Sequence, residues 1–390
     1  MELDQSQLDS IAAILVEKIE GTAPEILERL DRDAPRMLAE HRSLRRGFER
    51  RLNSIWGDAL DHYWATYVVC TESGEICNDR ARTGAIEESD FRFEALTRVH
   101  ARSCMVASEI HALLRTGHAA GAEARWRTLH ELSVVASVLS DAPLEISERY
   151  LLHGWISSAR DLADYERFRV QLGLEEFDPT EASQIREGRD QLVGRFGRSY
   201  KGDWGWSAPL FRHDRIMFSD LEGISGLDHL RPYYRLGSHR VHAGAKGLDL
   251  GRVEFRGFDT MLVGPNNSGL AEVGHGALIS LVNVTLPLLR SRIEDDVMFL
   301  PMMKVAAEMS KRAGDLFGAA AEELARQESE FLAAQRVGPL AVSMLVTGRK
   351  AKSGIRWTRK RIERVTSDVK RRQTVVRSKY RKTQAQGGMD

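Results

Sequence analysis

The sequence has few cysteines and no long apolar run. Only three of its 390 residues are cysteines (Cys70, Cys77 and Cys104), and no two of them have Cys-x-x-Cys spacing. Neither a disulfide framework nor a zinc knuckle is indicated, so we expect a reducing, cytoplasmic location. No stretch approaches the roughly 18 apolar residues that cross a bilayer, and the N-terminus is acidic where a signal peptide is basic. The sequence therefore predicts no transmembrane segment.

The composition is that of a folded globular chain. Hydrophobic residues make up 42% and charged residues 29%, which excludes a disordered or collagen-like protein and leaves ample material for a core. A chain of this length is expected to form two or three units of about 150 residues each. We predict a helical appendage over residues 1–88, a helical core domain over residues 89–336 and a basic tail over residues 337–390.

The formal net charge is zero, but the charge is unevenly distributed. Residues 348–382 contain fifteen basic side chains against Glu363 and Asp368, a net charge of +13, so the rest of the chain carries −13. A block of this density is typical of a solvated tail that binds polyanions. Trp357 and Tyr380 lie among the arginines and suit stacking on unpaired bases, which favours RNA over DNA.

We therefore predict a nucleic-acid contact in this tail, formed by Arg356, Trp357, Arg359, Lys360, Arg361, Arg364, Lys370, Arg371, Arg372, Arg377, Lys379 and Arg381. Two alternatives stay open at this point. The tail could fold back on the acidic body, or it could bind an anionic membrane surface.

Helical periodicity dominates the body. Apolar residues recur at three- and four-residue steps through Gln7–Leu52, where Gly21 and Pro24 predict a break into at least two helices. Two further periodic segments, Glu94–Leu114 and Ala119–Leu139, are joined by a short turn with Gly117 at its centre. This spacing predicts an antiparallel helix hairpin as the central element, with the glycine capping the first helix.

The remaining elements follow from simpler signals. We predict a helix over Leu144–Leu172, a loop-rich segment over residues 173–232, a short helix from Pro232 to Ala245, a small strand or hairpin near residues 253–258, and helices over residues 270–292 and 296–334. The fold class is therefore all-α: a helical bundle with a central antiparallel hairpin, a minor β-hairpin and a basic C-terminal extension.

Several catalytic motifs are missing. His130-Glu131 begins like a zinc-protease motif, but Val134 stands where the second histidine must lie. The chain has no Gly-x-Ser-x-Gly and no phosphate-binding glycine loop. His239 and His242 are spaced i, i+3, with His213, Asp214 and His229 as the nearby candidates for a third ligand. We favour structural or surface histidines over a metal site, and we predict no metal and no cofactor.

Two segments together resemble a bacterial family known as domain of unknown function 5677. The first, residues 117–132, contains a glycine turn followed by Arg127-Thr-Leu-His-Glu131. The second contains Trp204-Gly-Trp-Ser, then Tyr234-x3-Ser238-x3-His242. The resemblance covers roughly residues 90–290 and implies an all-α fold without a settled activity.

The resemblance singles out Arg127, Glu131, Tyr234, Ser238 and His242. Arg127 and Glu131 are i, i+4 neighbours that can form an ion pair. In a continuous helix the other three fall within a stripe of roughly 80°. We expect one mixed polar cluster, which either fixes helix packing or supplies acid–base groups for a ligand or reaction.

A looser similarity to HEPN ribonucleases bears on activity. These helical domains, which are often dimeric, carry an Arg-x(4–6)-His motif, and this chain has that spacing at Arg125-x4-His130 and Arg235-x6-His242. About 140° separates the first pair around a helix, whereas the second returns to nearly the same face. The similarity implies Arg235 as a phosphate-binding residue, His242 as an acid–base residue and a homodimer as the assembly.

These observations give two functional hypotheses. The first is an RNA- or nucleic-acid-directed helical protein of a bacterial defence or stress system, with HEPN-like, metal-independent cleavage by Arg235 and His242 as its candidate activity. The second is a non-catalytic interaction or scaffold protein whose polar cluster is structural. The two differ in whether the cluster lines an open cleft or is closed off inside the bundle.

Overall fold

A computed structural model describes residues 5–255 and 258–336 of the chain. Within these residues the protein forms eleven α-helices, three short 3-10 helices and one two-stranded antiparallel sheet. The predicted all-α fold is confirmed. The long apolar periodicities fold as helices, because each can bury one stripe against its neighbours.

The helices are α1 (Gln5–Glu87), α2 (Phe91–Arg115), α3 (Ala119–Asp141), α4 (Leu144–Leu152), α5 (Gly154–Leu172), α6 (Pro179–Phe196), α7 (Phe218–Ser225), α8 (Arg231–Val241), α9 (Ala245–Asp249), α10 (Leu270–Ser291) and α11 (Phe299–Arg336). The strands are β1 (Arg252–Phe255) and β2 (Phe258–Met261). The 3-10 helices span Arg198–Lys201, Gly205–Leu210 and Asp228–Leu230.

Helices α2 and α3 form the predicted central hairpin. Gly117 adopts a left-handed conformation with φ of 77°. Its N–H donates to the Leu114 carbonyl, and the His118 N–H donates to the Leu113 carbonyl. These two bonds are a Schellman cap, which satisfies the last carbonyls of α2 and reverses the chain. The short, capped turn holds α3 against α2.

Helix α10 lies in the core against α1, α2 and α3. Of the described residues it alone is long and apolar enough to cross a bilayer, and 61% of its apolar window is buried in the protein. The core helix of a globular protein can be equally long and apolar, so these two properties alone do not indicate a membrane span. Its contacts include the Ser280 hydroxyl, which accepts a hydrogen bond from the Trp126 indole of α3 at 3.1 Å.

The predicted break of the first helix is wrong, because α1 runs without interruption through Gly21, Pro24 and Pro35. A proline in a helix interior removes one hydrogen bond and costs about 3 kcal/mol. Residues 20–32 are all exposed, so water can solvate the carbonyls that these prolines leave unpaired. Only from Leu52 onward do α1 side chains become buried in the bundle.

The segment after α3 is more helical than its composition indicates. A break at His153 divides the predicted helix over Leu144–Leu172 into α4 and α5. The expected loop-rich region contains α6, whose start is capped by the Asp178 carboxylate accepting from the Thr180 and Glu181 N–H groups. Proline at the first helical position suits this start. The high charge of α6 reflects its exposure rather than a lack of helix.

Helix α8 is shorter than predicted. It begins at Arg231 and ends at Val241, and His242 already has an extended backbone with φ of −99° and ψ of 142°. The Ala243-Gly244 sequence that follows does not favour another helical turn, since glycine has low helix propensity. The polar stripe expected from Tyr234, Ser238 and His242 therefore ends before His242, which lies outside the helix.

The chain divides into two compact units. The first comprises residues 1–243 and 264–323, and the second comprises residues 244–263 and the chain from residue 324. In the second unit β1 pairs with β2, with Arg252 opposite Met261 and Phe255 opposite Phe258. The small hairpin predicted here is confirmed. The polar groups described below all belong to the first unit.

Candidate functional site: two polar networks and an adjacent groove

Three of the predicted residues meet between α3 and α8 in a group that we call the outer network: Arg127, Glu131 and Tyr234. An Arg127 guanidinium N–H donates to the Tyr234 hydroxyl at 2.7 Å. The same hydroxyl donates to Glu131 Oε1 at 2.6 Å. The guanidinium also lies 4.4 Å from the centroid of the Tyr234 ring. Direct contact between Arg127 and Glu131 is longer, at 3.6 Å, so the tyrosine bridges the ion pair.

The hydroxyl of Tyr234 is held in its protonated form. Burial and, to a smaller extent, the adjacent Glu131 carboxylate raise its pKa to about 12, while Arg127 opposes this rise. A protonated phenol can donate one hydrogen bond and accept another, and here it does both. The network therefore uses the hydrogen-bonding capacity of the hydroxyl within the fold.

A glycine lets α8 approach α3 closely enough for this network. Gly237 is buried, and a Cβ added there would lie 3.0 Å from Arg127 Cγ and 3.2 Å from the Glu123 carbonyl. One turn further on, Arg240 Nε donates to Glu123 Oε2 at 3.1 Å. The helix pair is thus joined by polar contacts on both sides of a close glycine contact.

A second group, the inner triad, lies deeper and consists of His130, Glu222 and Arg231. His130 Nε2 donates to Glu222 Oε1 at 3.0 Å, and both side chains are 0% exposed. The other carboxylate oxygen of Glu222 accepts a hydrogen bond from Arg231. Burial lowers the pKa of His130, and the nearby His229 and Arg231 lower it further. The triad is therefore a fully buried pair of a neutral histidine and a carboxylate, and that carboxylate also binds Arg231, whose side chain is 32% exposed.

Aromatic rings pack against His130 of the inner triad. His130 stacks on Trp126 at a centroid distance of 5.4 Å and meets Phe218 edge-on at 5.9 Å. Its Nδ1 atom is buried and has no hydrogen-bond partner within the described residues. Sequence reasoning missed Glu222 and Arg231, because no local signal links them to His130, which precedes Glu222 by 92 residues and Arg231 by still more.

The other predicted residues are not part of either network. The Ser238 hydroxyl donates to the Tyr234 carbonyl of its own helix at 3.0 Å. Arg235 and His242 are exposed, and no contact joins their side chains in the described structure. In the first HEPN-like pair, Arg125 binds Glu109 while His130 points into the inner triad. Neither Arg–His spacing thus produces a paired arginine and histidine.

An open groove of about 680 Å³ lies beside the networks, between α3, α8, α10 and α11. Its size is in the range of small-molecule sites. Its wall is mostly apolar, with Trp126, Tyr233 and Phe317 as the aromatic residues. The Arg240–Glu123 pair provides polar groups. The residues predicted as catalytic do not line the groove: Arg127, Glu131, Tyr234, Arg235, Ser238 and His242. Helix α8 lines it with Tyr233, Leu236 and Arg240 instead.

Two further sequence predictions concern metals and the tail. Within residues 5–255 and 258–336 no three histidine, cysteine, aspartate or glutamate side chains are grouped as a metal site requires. His239 is half-buried and His242 is exposed. The predicted nucleic-acid contacts, Arg356 to Arg381, lie outside the described residues.

The fold and its polar networks define an all-α bundle organised around a helix hairpin. Residues 93–257 of this bundle match the model of a family of unknown function, DUF5677. This segment runs from the start of α2 to beyond α8 and includes both networks. The resemblance expected from the sequence is therefore confirmed. Neither a curated protein nor a solved structure gives a significant match.

Proposed function

We propose that this protein is an RNA-directed interaction protein in which the helical bundle is a scaffold rather than a ribonuclease. The observation that carries the proposal is the closed geometry of the outer network. Its hydroxyl, carboxylate and guanidinium are bonded to one another, and none of them lines the groove. Acid–base catalysis requires a group within hydrogen-bond reach of a substrate, and these groups face each other instead.

The basic tail supports the RNA-directed part of the proposal. Its net charge of +13 over residues 348–382 would neutralise several phosphates and release their counterions. Trp357 and Tyr380 add stacking surfaces for unpaired bases. Binding of this kind depends on charge and stacking and requires no specificity for base sequence.

Truncation tests this function. Removal of residues 348–390 should weaken the binding of a single-stranded RNA at least tenfold at low salt and flatten the dependence of affinity on salt concentration. Fluorescence anisotropy over 50–300 mM salt measures both quantities. Removal of residues 383–390 alone, which contain no basic side chain, is the matched control and should change neither. Unchanged affinity and salt slope after the larger truncation would contradict the proposal.

A ribonuclease is the second candidate, because the exposure of Arg235 and His242 leaves both accessible to an RNA strand. Incubation of the full chain with labelled total RNA, with and without a chelator, distinguishes the two functions. The interaction protein leaves the RNA intact under both conditions. Metal-independent cleavage that Arg235→Ala and His242→Ala each abolish would establish the ribonuclease instead.

A further inference from the structure

The N-terminal part of α1 carries a long apolar face that nothing covers in the described structure. Its members, which we call the α1 stripe, are Leu15, Ile19, Ile26, Leu30, Met37 and Leu44. All six are exposed, with Leu44 at 70% and Ile19 at 64%. At 100° per residue they fall within a sector of about 60°, so they form one seam along the helix, with Asp33 at its edge.

The residues that weaken a helix lie on the opposite face. Pro24, Pro35 and Gly21 are about 150–170° from the centre of the α1 stripe. Their positions keep the proline rings and the unpaired carbonyls away from any helix that packs on the stripe. Further exposed apolar side chains lie outside the stripe: Ile11, Ile14, Val16, Leu27 and Leu38. The stripe is therefore the most regular apolar face of the segment rather than its whole apolar surface.

Such a helix requires a partner to be stable. Residues 9–46 extend for about 57 Å, and apart from the half-buried Asp33 and Ala34 they are all exposed. Most helical stability in proteins comes from the packing of an amphipathic face rather than from propensity. Two prolines and a glycine lower the propensity of this segment further. Its length exceeds the three to four heptads that support a two-stranded coiled coil.

We propose that the partner is a second copy of this chain, with the two α1 segments packed antiparallel along their stripes. Charge complementarity supports this occupant. Residues 9–27 carry four acidic and one basic side chain, whereas residues 28–46 carry six basic and four acidic ones. Antiparallel packing places the acidic half of one copy against the basic half of the other. Parallel packing would pair like halves and bring two Asp33 carboxylates together at the edge of the seam.

The oligomeric state of the full chain tests the pairing. Light scattering coupled to gel filtration should give the mass of a dimer at micromolar concentration. The double variant Ile26→Glu/Leu30→Glu should be a monomer, because it places four carboxylates in the seam of a dimer. Ala39→Glu adds the same side chain on the far face and should remain dimeric. A monomeric parent chain, or a dimer that survives the double variant, would overturn the proposal.

Cysteine cross-linking tests the orientation. Full overlap of residues 9–46 places Ile19 of one copy within one residue of Met37 of the other. The double variant Ile19→Cys/Met37→Cys should therefore form a covalent dimer on mild oxidation, and each single variant should not. The three native cysteines are buried and serve as the internal background. Cross-linking by Ile19→Cys alone would mean that the helices are parallel and would refute the antiparallel arrangement.

Discussion

The inner triad and the outer network share helix α3 but differ in their access to water. The carboxylate and imidazole of the inner triad are fully buried, whereas Glu131 of the outer network keeps 33% of its side chain exposed. The two arginines do not follow this contrast, since Arg231 is 32% exposed and Arg127 17%. Glu131 directly follows His130, and the rotation of about 100° per residue in an α-helix directs one side chain inward and the other toward α8. Burial alone therefore gives neighbouring residues different energetic roles.

This difference in exposure determines how much each network contributes to the stability of the bundle. A fully buried polar group that loses its partner cannot recover hydration, whereas a partly exposed one can. Substitution of His130 or Glu222 is thus expected to cost more than substitution of Arg231, whose side chain is 32% exposed. Substitutions in the outer network, which joins α8 to α3, are expected to lower the free energy of unfolding only slightly.

The largest expected effect is that of Glu222→Ala. Removal of this buried carboxylate leaves His130 without its hydrogen-bond partner and the partly exposed Arg231 without its ion pair, and it should lower the free energy of unfolding by about 2–4 kcal/mol. Urea denaturation followed by circular dichroism measures the loss. Glu131→Ala is the matched control in the outer network and should cost at most about 1 kcal/mol. Equal losses in the two variants would remove the distinction between the networks.

Acidification should also affect the buried histidines more than the outer network. Burial lowers the pKa of His100 to about 4 and also lowers that of His130, while an unfolded histidine titrates near 6.5. The unfolded chain therefore binds more protons as the pH falls below about 6.5. Stability is fully present above that pH and is lost as the pH falls toward the folded-state values, by up to about 1.4 kcal/mol per pH unit for each histidine.

Chemical unfolding at pH 7, 6 and 5 tests this dependence. His130→Asn removes one of the two groups, so its stability should fall less steeply with acidification than that of the parent chain. Other titrating groups are common to both proteins and cancel in the comparison. Parallel curves for the two proteins would show that His130 takes up its proton equally well in the folded and unfolded states.

The contrast also shows which features local sequence can predict. The α2–α3 hairpin follows from apolar periodicity and from the glycine turn, both of which act over a few residues. The meeting of Arg127, Glu131 and Tyr234 followed from helical spacing and from the resemblance. Glu222 could not be predicted, because its position depends on how α7 packs against α3.

Element boundaries account for the remaining differences. The expectation for His242 required a helix that continued through residue 242, but α8 ends one residue earlier. The expected break at Pro24 treated proline as a helix terminator, although the exposed face of α1 accommodates it. Helix α6 was missed despite the Asp178-Pro179 start signal, because its high charge and lack of an apolar stripe resembled a loop.

A smaller effect is expected for Tyr234→Phe. The substitution removes the bridging hydroxyl but keeps the ring that stacks on Arg127, so Arg127 and Glu131 can close their 3.6 Å separation. Loss of the two hydrogen bonds should cost about 1 kcal/mol. Tyr233→Phe, on the exposed neighbouring position of α8, is the control and should change stability by no more than about 0.5 kcal/mol. A loss above about 3 kcal/mol would place this hydroxyl with the inner triad.

The smallest effects on stability are expected for Arg235→Ala and His242→Ala. Both side chains are exposed and belong to neither network, so each variant should unfold within about 0.5 kcal/mol of the parent chain. If His242 were a member of a closed polar cluster, its removal would leave buried partners unsatisfied and cost about 1–3 kcal/mol. Thermal and urea unfolding of the two variants measures this difference directly. A destabilised His242→Ala beside an unaffected Arg235→Ala would show that residue 242 packs into the bundle in solution, because an exposed cap residue has no buried partner to lose.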